Sequence, residues 1–217
     1  AYYQSAEASF ILTCRTKDGG GSGWAGSTGI KDISLINAAE LTEIASDKAL
    51  KSQKPRAIEP GRYTTILEPR ANARLLSLMT GLFNARTAEG PVGNYFSGKQ
   101  PGTTKVGETL FSDGFTLRSE IGNPILRQTP IGTDGMAAKP VTWIEKGVLK
   151  TLAYDRAWAK RQKKDPTPTN INQSLVMEGS DMTVEQMIKT TKRGLLVTFF
   201  WYIRAVDAPT LLNTGMT

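Results

Sequence analysis

The side chains that most often perform catalysis are scarce in this chain. Its 217 residues include no histidine and a single cysteine, Cys14. Histidine is the usual general base near neutral pH and a frequent metal ligand. Its absence therefore excludes histidine-based triads and histidine-ligated zinc. Cys14 cannot form an internal disulfide, and the alternating segment around it favours a small, half-buried strand residue over a reactive thiol.

Residues 93–100 contain the glycine and lysine spacing of a phosphate-binding loop. The context that such a loop needs is absent, because Gln100 replaces the magnesium-binding Ser or Thr and Pro101 prevents the helix that should follow. A chance match is the favoured interpretation. Ser97 with Lys99 is formally a nucleophile pair, but closeness in sequence does not place two side chains in one pocket.

Two other patterns could bind ions. Residues 18–23, with the sequence DGGGSG, could bind an anion through backbone amides, although a flexible hairpin tip is the favoured interpretation. Acidic residues are scattered singly rather than at calcium-loop spacing, so turns and helix caps explain them better. They include Asp113, Asp134, Asp155 and Asp181. No metal site is predicted.

Composition limits the classes of partner. The chain carries 27 Lys and Arg against 20 Asp and Glu, for a formal net charge of +7, and is 39% hydrophobic. The densest basic cluster, residues 160–164, ends a predicted helix, and a solvated helix end is favoured over a nucleic-acid surface. No apolar run reaches the roughly 20 residues of a membrane helix and no signal-peptide pattern is present. We therefore expect a soluble, cytoplasmic protein without a membrane partner.

We expect residues 1–58 to be part of a preceding domain that consists of a hairpin and an amphipathic helix. The first residues alternate as in a strand, and Trp24 begins the return strand. Apolar residues recur at helical spacing over residues 32–53, with Asp32 or Ser34 as the cap. The sequence Glu-Pro-Gly directly after this region marks the predicted domain boundary.

A strand at 63–67 should lead directly into a helix at 71–86. The helix carries an apolar stripe typical of a buried element, formed by Leu75, Leu76, Met79, Leu82 and Phe83. Residues 88–108 contain many Gly and Pro, and a loop of this length is more often functional than ordinary. We expect it to cover a cleft.

The second half contains mainly short strands. They are predicted at 109–111 and 115–118, and at 141–144 paired with 148–152 across a tight turn. Helices are predicted at 154–163 and at 184–192, the latter with a capping box between Thr183 and Gln186. The apolar run at 195–206 fits a central strand with both faces covered. The fold class predicted is α+β, with mixed or antiparallel sheets and a few packed helices.

Several motifs occur in a fixed order along the chain. They are EPGRYTTILEP at 59–69, KVGE at 105–108, GTDG at 132–135, IEKGVLK at 144–150 and KRGLLV at 192–197. As a series they resemble the TldD/PmbA family, also called TldD/TldE or "modulator of DNA gyrase". The resemblance implies that residues 59–217 are the C-terminal domain of such a protein, truncated at its end.

The resemblance also indicates where a catalytic site has been lost. Catalytic members carry His-Glu-x-x-x-His for zinc, and the resemblance places Ser77 at the first ligand, Leu78 at the glutamate and Leu82 at the second ligand. Ligands at this spacing lie roughly 140° apart on an ideal helix, so a helix end or distortion is needed. Gly81 could supply that freedom. Thr80 and Gly81 are candidate cleft residues, and no catalytic residue, metal or cofactor is expected.

The family implies a non-catalytic subunit that forms a homodimer, or a heterodimer with a His-Glu-x-x-x-His subunit, and shapes a chamber for peptide cleavage. Two alternatives remain open. One is a gyrase-modulator-like interaction protein with a nucleic-acid-associated partner, although direct nucleic-acid binding is disfavoured. The other is a hydrolase with a non-zinc site.

Overall fold

Short strands and helices alternate along the chain. The computed structural model describes residues 2–216. The helices are α1 (Ala38–Lys51), α2 (Pro69–Met79), α3 (Ala85–Ala88), α4 (Arg156–Gln162) and α5 (Val184–Thr190). The strands are β1 (Ala8–Arg15), β2 (Ser22–Ile30), β3 (Thr64–Leu67), β4 (Thr116–Ser119), β5 (Val141–Glu145), β6 (Val148–Leu149), β7 (Leu175–Glu178), β8 (Gly194–Val197), β9 (Tyr202–Asp207) and β10 (Leu212–Met216). Together they confirm the predicted α+β class. Within the described residues, no helix has the length and apolar character needed to cross a bilayer.

The N-terminal part is a hairpin with a helix packed on it. β1 and β2 pair in antiparallel fashion, as predicted, and α1 lies against both strands. Asn37 caps α1 by accepting a hydrogen bond from the Glu40 amide at 3.2 Å. Asp32 instead caps a separate 3₁₀ turn, so the predicted cap of α1 was wrong. The reason is that Asn37 is the residue after which the chain first adopts continuous α geometry.

The hairpin tip satisfies its own amides. The Asp18 carboxylate accepts hydrogen bonds from the Gly20 amide at 3.1 Å and from the Thr16 hydroxyl at 2.6 Å. The Gly21 amide donates to the Thr16 hydroxyl at 2.8 Å. The two bonds to the carboxylate lower the pKa of Asp18, the Thr16 bond contributing most. The Asp18 carboxylate and the Thr16 hydroxyl therefore accept the amide hydrogen bonds that an external anion would otherwise accept.

Contacts of several kinds join the first 58 residues to the rest of the molecule. Lys48 of α1 forms an ion pair with Glu68 at 2.6 Å, and both side chains are about four-fifths buried. The rings of Trp24 and Phe199 stack with centroids 4.4 Å apart. Ile30 forms a β-bridge with Leu126. The two regions thus pack together, and the domain boundary near residue 59 stays a prediction.

A four-stranded antiparallel sheet, in the order β6-β5-β4-β7, forms the centre of the C-terminal part. The predicted hairpin of β5 and β6 is confirmed, and its two turn residues, Lys146 and Gly147, have φ of 47° and 78°. Positive φ at both positions is the geometry that matches the twist of the flanking strands. Trp143 on β5 is fully buried, and its indole N–H donates to the buried Ser119 hydroxyl at 3.0 Å.

The region 88–108, which was predicted to cover a cleft, also contributes to the core. Phe96 is fully buried and belongs to the same hydrophobic cluster as Trp143. The cleft-covering role stays a prediction. Directly after this region, the strand predicted at 109–111 does not form, and Thr109 makes a single β-bridge with Val148.

The apolar run near the C-terminus forms two strands instead of one. β8 pairs in parallel with β3, and β9 pairs in antiparallel fashion with β10. The predicted central strand was wrong because apolar content alone does not distinguish one buried strand from two shorter ones. β9 and β10 are largely exposed, with Tyr202 of β9 at 51% exposure, and Trp201 directly before β9 is 58% exposed. Just before this run, α5 carries the predicted capping box.

Gly23 permits the close packing of α1 on β2. A Cβ atom at this position would overlap the carbonyl oxygen of Ala45, which is backbone and cannot rotate away. We expect Gly23→Ala to lower the free energy of unfolding by about 2 kcal/mol or more, because the helix must shift from the hairpin. Urea denaturation measures this value.

The matched control is Gly20→Ala. A Cβ atom there meets only the carboxylate of Asp18, at 3.4 Å. We expect its unfolding free energy to stay within about 0.5 kcal/mol of the parent. Equal stability of the Gly23→Ala and Gly20→Ala variants would contradict the close packing.

Candidate functional site

The positions predicted to replace a zinc motif lie on two consecutive helical segments. Ser77 and Leu78 are in α2, whereas Leu82 is in the 3₁₀ helix Thr80–Phe83 that follows without a break. The helix type changes between the first and the last of these positions. A distortion of this kind is what ligands five residues apart would require.

The chemistry of these side chains does not fit a zinc ion. Ser77 is exposed, and its hydroxyl donates to the Arg74 carbonyl at 2.7 Å. Leu78 is half-buried and Leu82 packs against the core cluster, so neither position offers an electron-pair donor. Zinc in proteins is held by Cys, His, Asp or Glu. Across residues 2–216, no three side chains of these types form a group that could hold a metal ion.

The candidate cleft residues Thr80 and Gly81 follow directly. The Thr80 hydroxyl donates to the Ser77 carbonyl at 2.9 Å, so it caps the end of α2. Gly81 is exposed, its φ is not positive, and an added Cβ would meet nothing within 4 Å. The backbone at Gly81 therefore has a conformation that other residues can also adopt.

Asn94 anchors the end of the 3₁₀ helix. Its side-chain amide donates to the Leu82 carbonyl at 2.9 Å, and its side-chain oxygen accepts from the Phe96 amide at 2.8 Å. The Ala153 amide donates to the Phe83 carbonyl at 2.7 Å. These bonds fix the backbone after Leu82 against the core.

The proposed nucleophile pair within residues 93–100 does not form. The Ser97 hydroxyl donates to the Ala88 carbonyl at 2.7 Å and accepts from the Asn94 amide at 2.7 Å. Lys99 is exposed. Ser97 therefore closes a turn, and its proton is already held by a backbone carbonyl.

A large groove lies elsewhere on the molecule, between α1 and α5, with a volume of about 850 Å³. Its apolar lining includes Trp24, Ile44, Ile188 and Leu196, and the ion pair of Lys48 with Glu68 lies within it. No residue of 75–82 lines this groove or either of two smaller cavities, of about 450 and 100 Å³. The structure therefore does not place the predicted positions in one of these cavities.

A buried carboxylate is the main electrostatic feature that the sequence did not reveal. Glu89, whose side chain is 3% exposed, accepts hydrogen bonds from the Tyr154 hydroxyl at 2.7 Å and the Trp158 indole at 2.6 Å. Lys164 lies 3.1 Å from the carboxylate and 2.6 Å from the Tyr154 hydroxyl oxygen. We call these four residues the Glu89 network.

Burial and hydrogen bonding oppose each other in this network. Burial alone would raise the pKa of Glu89, but the bonds from Tyr154, Trp158 and Lys164 outweigh it and lower that pKa. Burial would lower the pKa of Lys164, but its bonds to Tyr154 and Glu89 raise it. Burial is the main cause of the raised pKa of Tyr154. The carboxylate and the ammonium therefore remain charged together.

The Glu89 network joins the end of α3 to α4. The sequence predicted a solvated basic helix end at residues 160–164, and Lys164 is about half exposed, but its ammonium also contacts the buried Glu89 carboxylate, which the sequence did not predict. The partners are 65 to 75 residues apart, so no local pattern signals them. A glutamate that follows Arg-Thr-Ala in a short helix has no distinctive spacing.

The class of protein that the fold defines is an α+β domain, in which residues 77–82 include no Cys, His, Asp or Glu. Residues 60–215 match the family model described as PmbA/TldA metallopeptidase C-terminal domain. This chain therefore belongs to that family, as its ordered motifs had indicated.

Solved structures share the fold. A "putative modulator of DNA gyrase" from Bacteroides thetaiotaomicron has a TM-score of 0.74 at 24% identity, and covers 93% of this chain and 44% of its own. A protein described in nearly the same words from Thermotoga maritima gives 0.73 at 19% identity, with coverage of 89% and 44%. TldE from Thermococcus kodakarensis gives 0.64 at 22% identity, with coverage of 90% and 46%.

The chain thus spans less than half the length of the solved structures it resembles. A search of curated proteins gave no significant match. The comparisons therefore establish the family and the fold.

The Glu89 network predicts a pH-dependent stability. Because the pKa of Glu89 is lower in the folded state, its stabilisation is present above the ordinary glutamate value of about 4.5 and is lost as pH falls through the folded value. We expect Glu89→Gln to lower the unfolding free energy by about 1–3 kcal/mol at neutral pH. This difference should shrink towards acid pH.

Urea denaturation at neutral pH and at acid pH measures the difference. The control is Glu108→Gln, which changes an exposed glutamate with no ion pair in the described part of the chain. We expect it to remain within about 0.5 kcal/mol of the parent at neutral pH. A Glu89→Gln effect that stays constant across pH would contradict a role for the charge.

Proposed function

We propose that this chain is a non-catalytic member of its family. In this role it contributes surface, but no catalytic groups, to a peptide-processing chamber formed with a His-Glu-x-x-x-His subunit. The proposal rests on the predicted placement of Ser77, Leu78 and Leu82 at the positions of that motif, and on the observed chemistry of these three side chains. One is an exposed hydroxyl bonded to its own helix, and the others are hydrocarbon.

The loss of chemistry at these positions is accompanied by a gain in packing. A metal site needs polar donors and access for a water molecule. Leu82 instead contacts the core cluster that contains Phe83 and Trp143. Apolar side chains at this point favour association with other apolar surface over the activation of water.

An exposed strand edge supports a role in holding peptides. All five residues of β10 are exposed, and within residues 2–216 this strand pairs only with β9. Its other edge therefore presents backbone N–H and C=O groups. An extended peptide can pair with such groups with little dependence on its sequence. Neither charge nor proline, the usual protections of a free edge, occurs in Leu212–Met216.

The dimer in this proposal draws on the solved structures that share the fold. One of the solved structures with this fold is named TldE, and all three matched chains are more than twice as long as the aligned region. A dimer with a zinc-binding relative would bring the missing catalytic groups to the peptide. We propose a heterodimer of this kind, with a homodimer as the form taken without the partner.

Partner-dependent peptide hydrolysis tests the proposal. The purified chain is incubated with a peptide mixture, alone and with a His-Glu-x-x-x-His relative, and cleavage is followed by mass spectrometry. We expect no cleavage by the chain alone, and chelator-sensitive cleavage that increases when both subunits are present. Cleavage by the chain alone that survives strong chelators would overturn the proposal and favour a hydrolase with a non-zinc site.

Reintroduction of the family's metal ligands should separate the two histidine positions. We expect Leu82→His to lower the unfolding free energy by about 2–4 kcal/mol, because a polar ring replaces an apolar contact with the core. We expect Ser77→His to change it by less than about 0.5 kcal/mol, because Ser77 is exposed.

Thermal or urea denaturation measures both variants, with Leu82→Met as the volume-conserving control, expected to cost less than about 1.5 kcal/mol. Full tolerance of Leu82→His would show that packing has not replaced the metal chemistry at this position.

A further inference from the structure

A small pocket of about 100 Å³ lies between α3 and α4, away from residues 75–82. Its wall on α4 is formed by Ala157, Trp158 and Arg161, and Arg161 follows the other two by four and three residues, so all three share one face of the helix. Arg86 of α3 forms the opposite wall, with its guanidinium carbon 5.8 Å from the centre of the Trp158 ring.

The pocket has an excess of positive charge. Arg86 and Arg161 are exposed, and within residues 2–216 neither has a carboxylate at ion-pair distance. Asp155 contributes the one negative charge of the lining, and its carboxylate accepts the Trp158 amide at 2.7 Å as the cap of α4. The lining therefore contains two guanidinium groups and one carboxylate, so its net charge is +1.

A hydrogen bond to Glu89 holds one wall of the pocket, the Trp158 side chain, in place. Glu89, one residue after α3, accepts the indole N–H of Trp158 at 2.6 Å. Glu89 also binds Tyr154 and Lys164 on either side of α4. The position of the Trp158 ring relative to the end of α3 is therefore set before any ligand arrives. A preorganised wall lowers the entropy cost of binding.

We propose that this pocket binds a carboxylate group, such as a peptide C-terminus or an acidic side chain. A guanidinium presents parallel N–H donors that match the two oxygens of a carboxylate. The single excess charge matches a monoanion better than a dianionic phosphate. The volume of about 100 Å³ accommodates the carboxylate and its first carbon atoms, and the Trp158 ring covers their apolar side.

Nuclear magnetic resonance of the ¹⁵N-labelled chain tests the site directly. The probes are acetate, N-acetylglycine, N-acetylglycine amide and inorganic phosphate, at constant ionic strength. The Trp158 indole resonance, assigned with Trp158→Phe, and the arginine Nε resonances report binding. We expect saturable shifts with acetate and N-acetylglycine, and none with the amide, which differs only in lacking the carboxylate. N-acetylglutamate amide then distinguishes an acidic side chain from a C-terminus.

Variants locate the site. Arg86→Gln and Arg161→Gln should each weaken N-acetylglycine binding by about tenfold or more, because each removes a charged hydrogen bond. Arg156→Gln is the matched control, since this exposed arginine of α4 does not line the pocket. All three sites are exposed, so the variants should fold, and their spectral dispersion verifies it.

Three results would overturn the proposal. The first is the absence of saturable shifts with either carboxylate in the parent chain, which needs no variant. The second is saturable binding of phosphate without binding of carboxylates. The third is equal weakening by Arg156→Gln, which would indicate diffuse attraction to a basic surface instead of a defined site.

Discussion

Three buried aromatic rings join parts of the chain that are far apart in sequence. Phe83 lies at the end of the 3₁₀ helix, Phe96 in the glycine-rich region and Trp143 on β5, and all three are fully buried. Phe83 packs edge-on against both others, with centroid distances of 4.8 and 5.7 Å. Each buried ring contributes on the order of 1.5–3 kcal/mol by leaving water. The position of Phe83 in this contact fixes the end of α2 against the central sheet.

The same contact limits what the segment from Ser77 to Leu82 can do. Because Phe83 is held in the core and Leu82 packs beside it, the end of the segment is committed to packing. Ser77, more than one turn earlier, remains exposed. A metal site here would thus require more than new ligands, since a polar side chain at position 82 would disturb the contacts around Phe83.

The Glu89 network adds a second, electrostatic link between the helices. Its carboxylate is desolvated, yet three donors keep it ionised, so the network is stable only when all partners are present. Glu89 directly follows α3, so the network joins the end of α3 to α4. It also holds the Trp158 indole, which lies 5.8 Å from the Arg86 guanidinium carbon. The Glu89 network therefore contacts the hydrophobic core through Tyr154 and the surface pocket through Trp158.

The sequence by itself determined the features whose causes lie within a few residues. The absence of histidine, the capping box of Thr183 and Gln186, the turn at Lys146 and Gly147 and the first hairpin are of this kind. So are the ordered motifs that indicated the family. Each depends on local geometry or on residue identity alone, which a linear pattern records.

Tertiary structure decided the features that depend on distant partners. The parallel pairing of β3 with β8 joins residues 64 and 194, and it divides the apolar run that had predicted one strand. Phe96 became core because Phe83 and Trp143 lie beside it. Glu89 and Lys164 are charged residues without a distinctive local pattern, and only their approach across 75 positions gives the buried carboxylate of Glu89 a cationic partner. Burial and hydrogen bonding are properties of neighbours in space, and a linear sequence does not specify those neighbours.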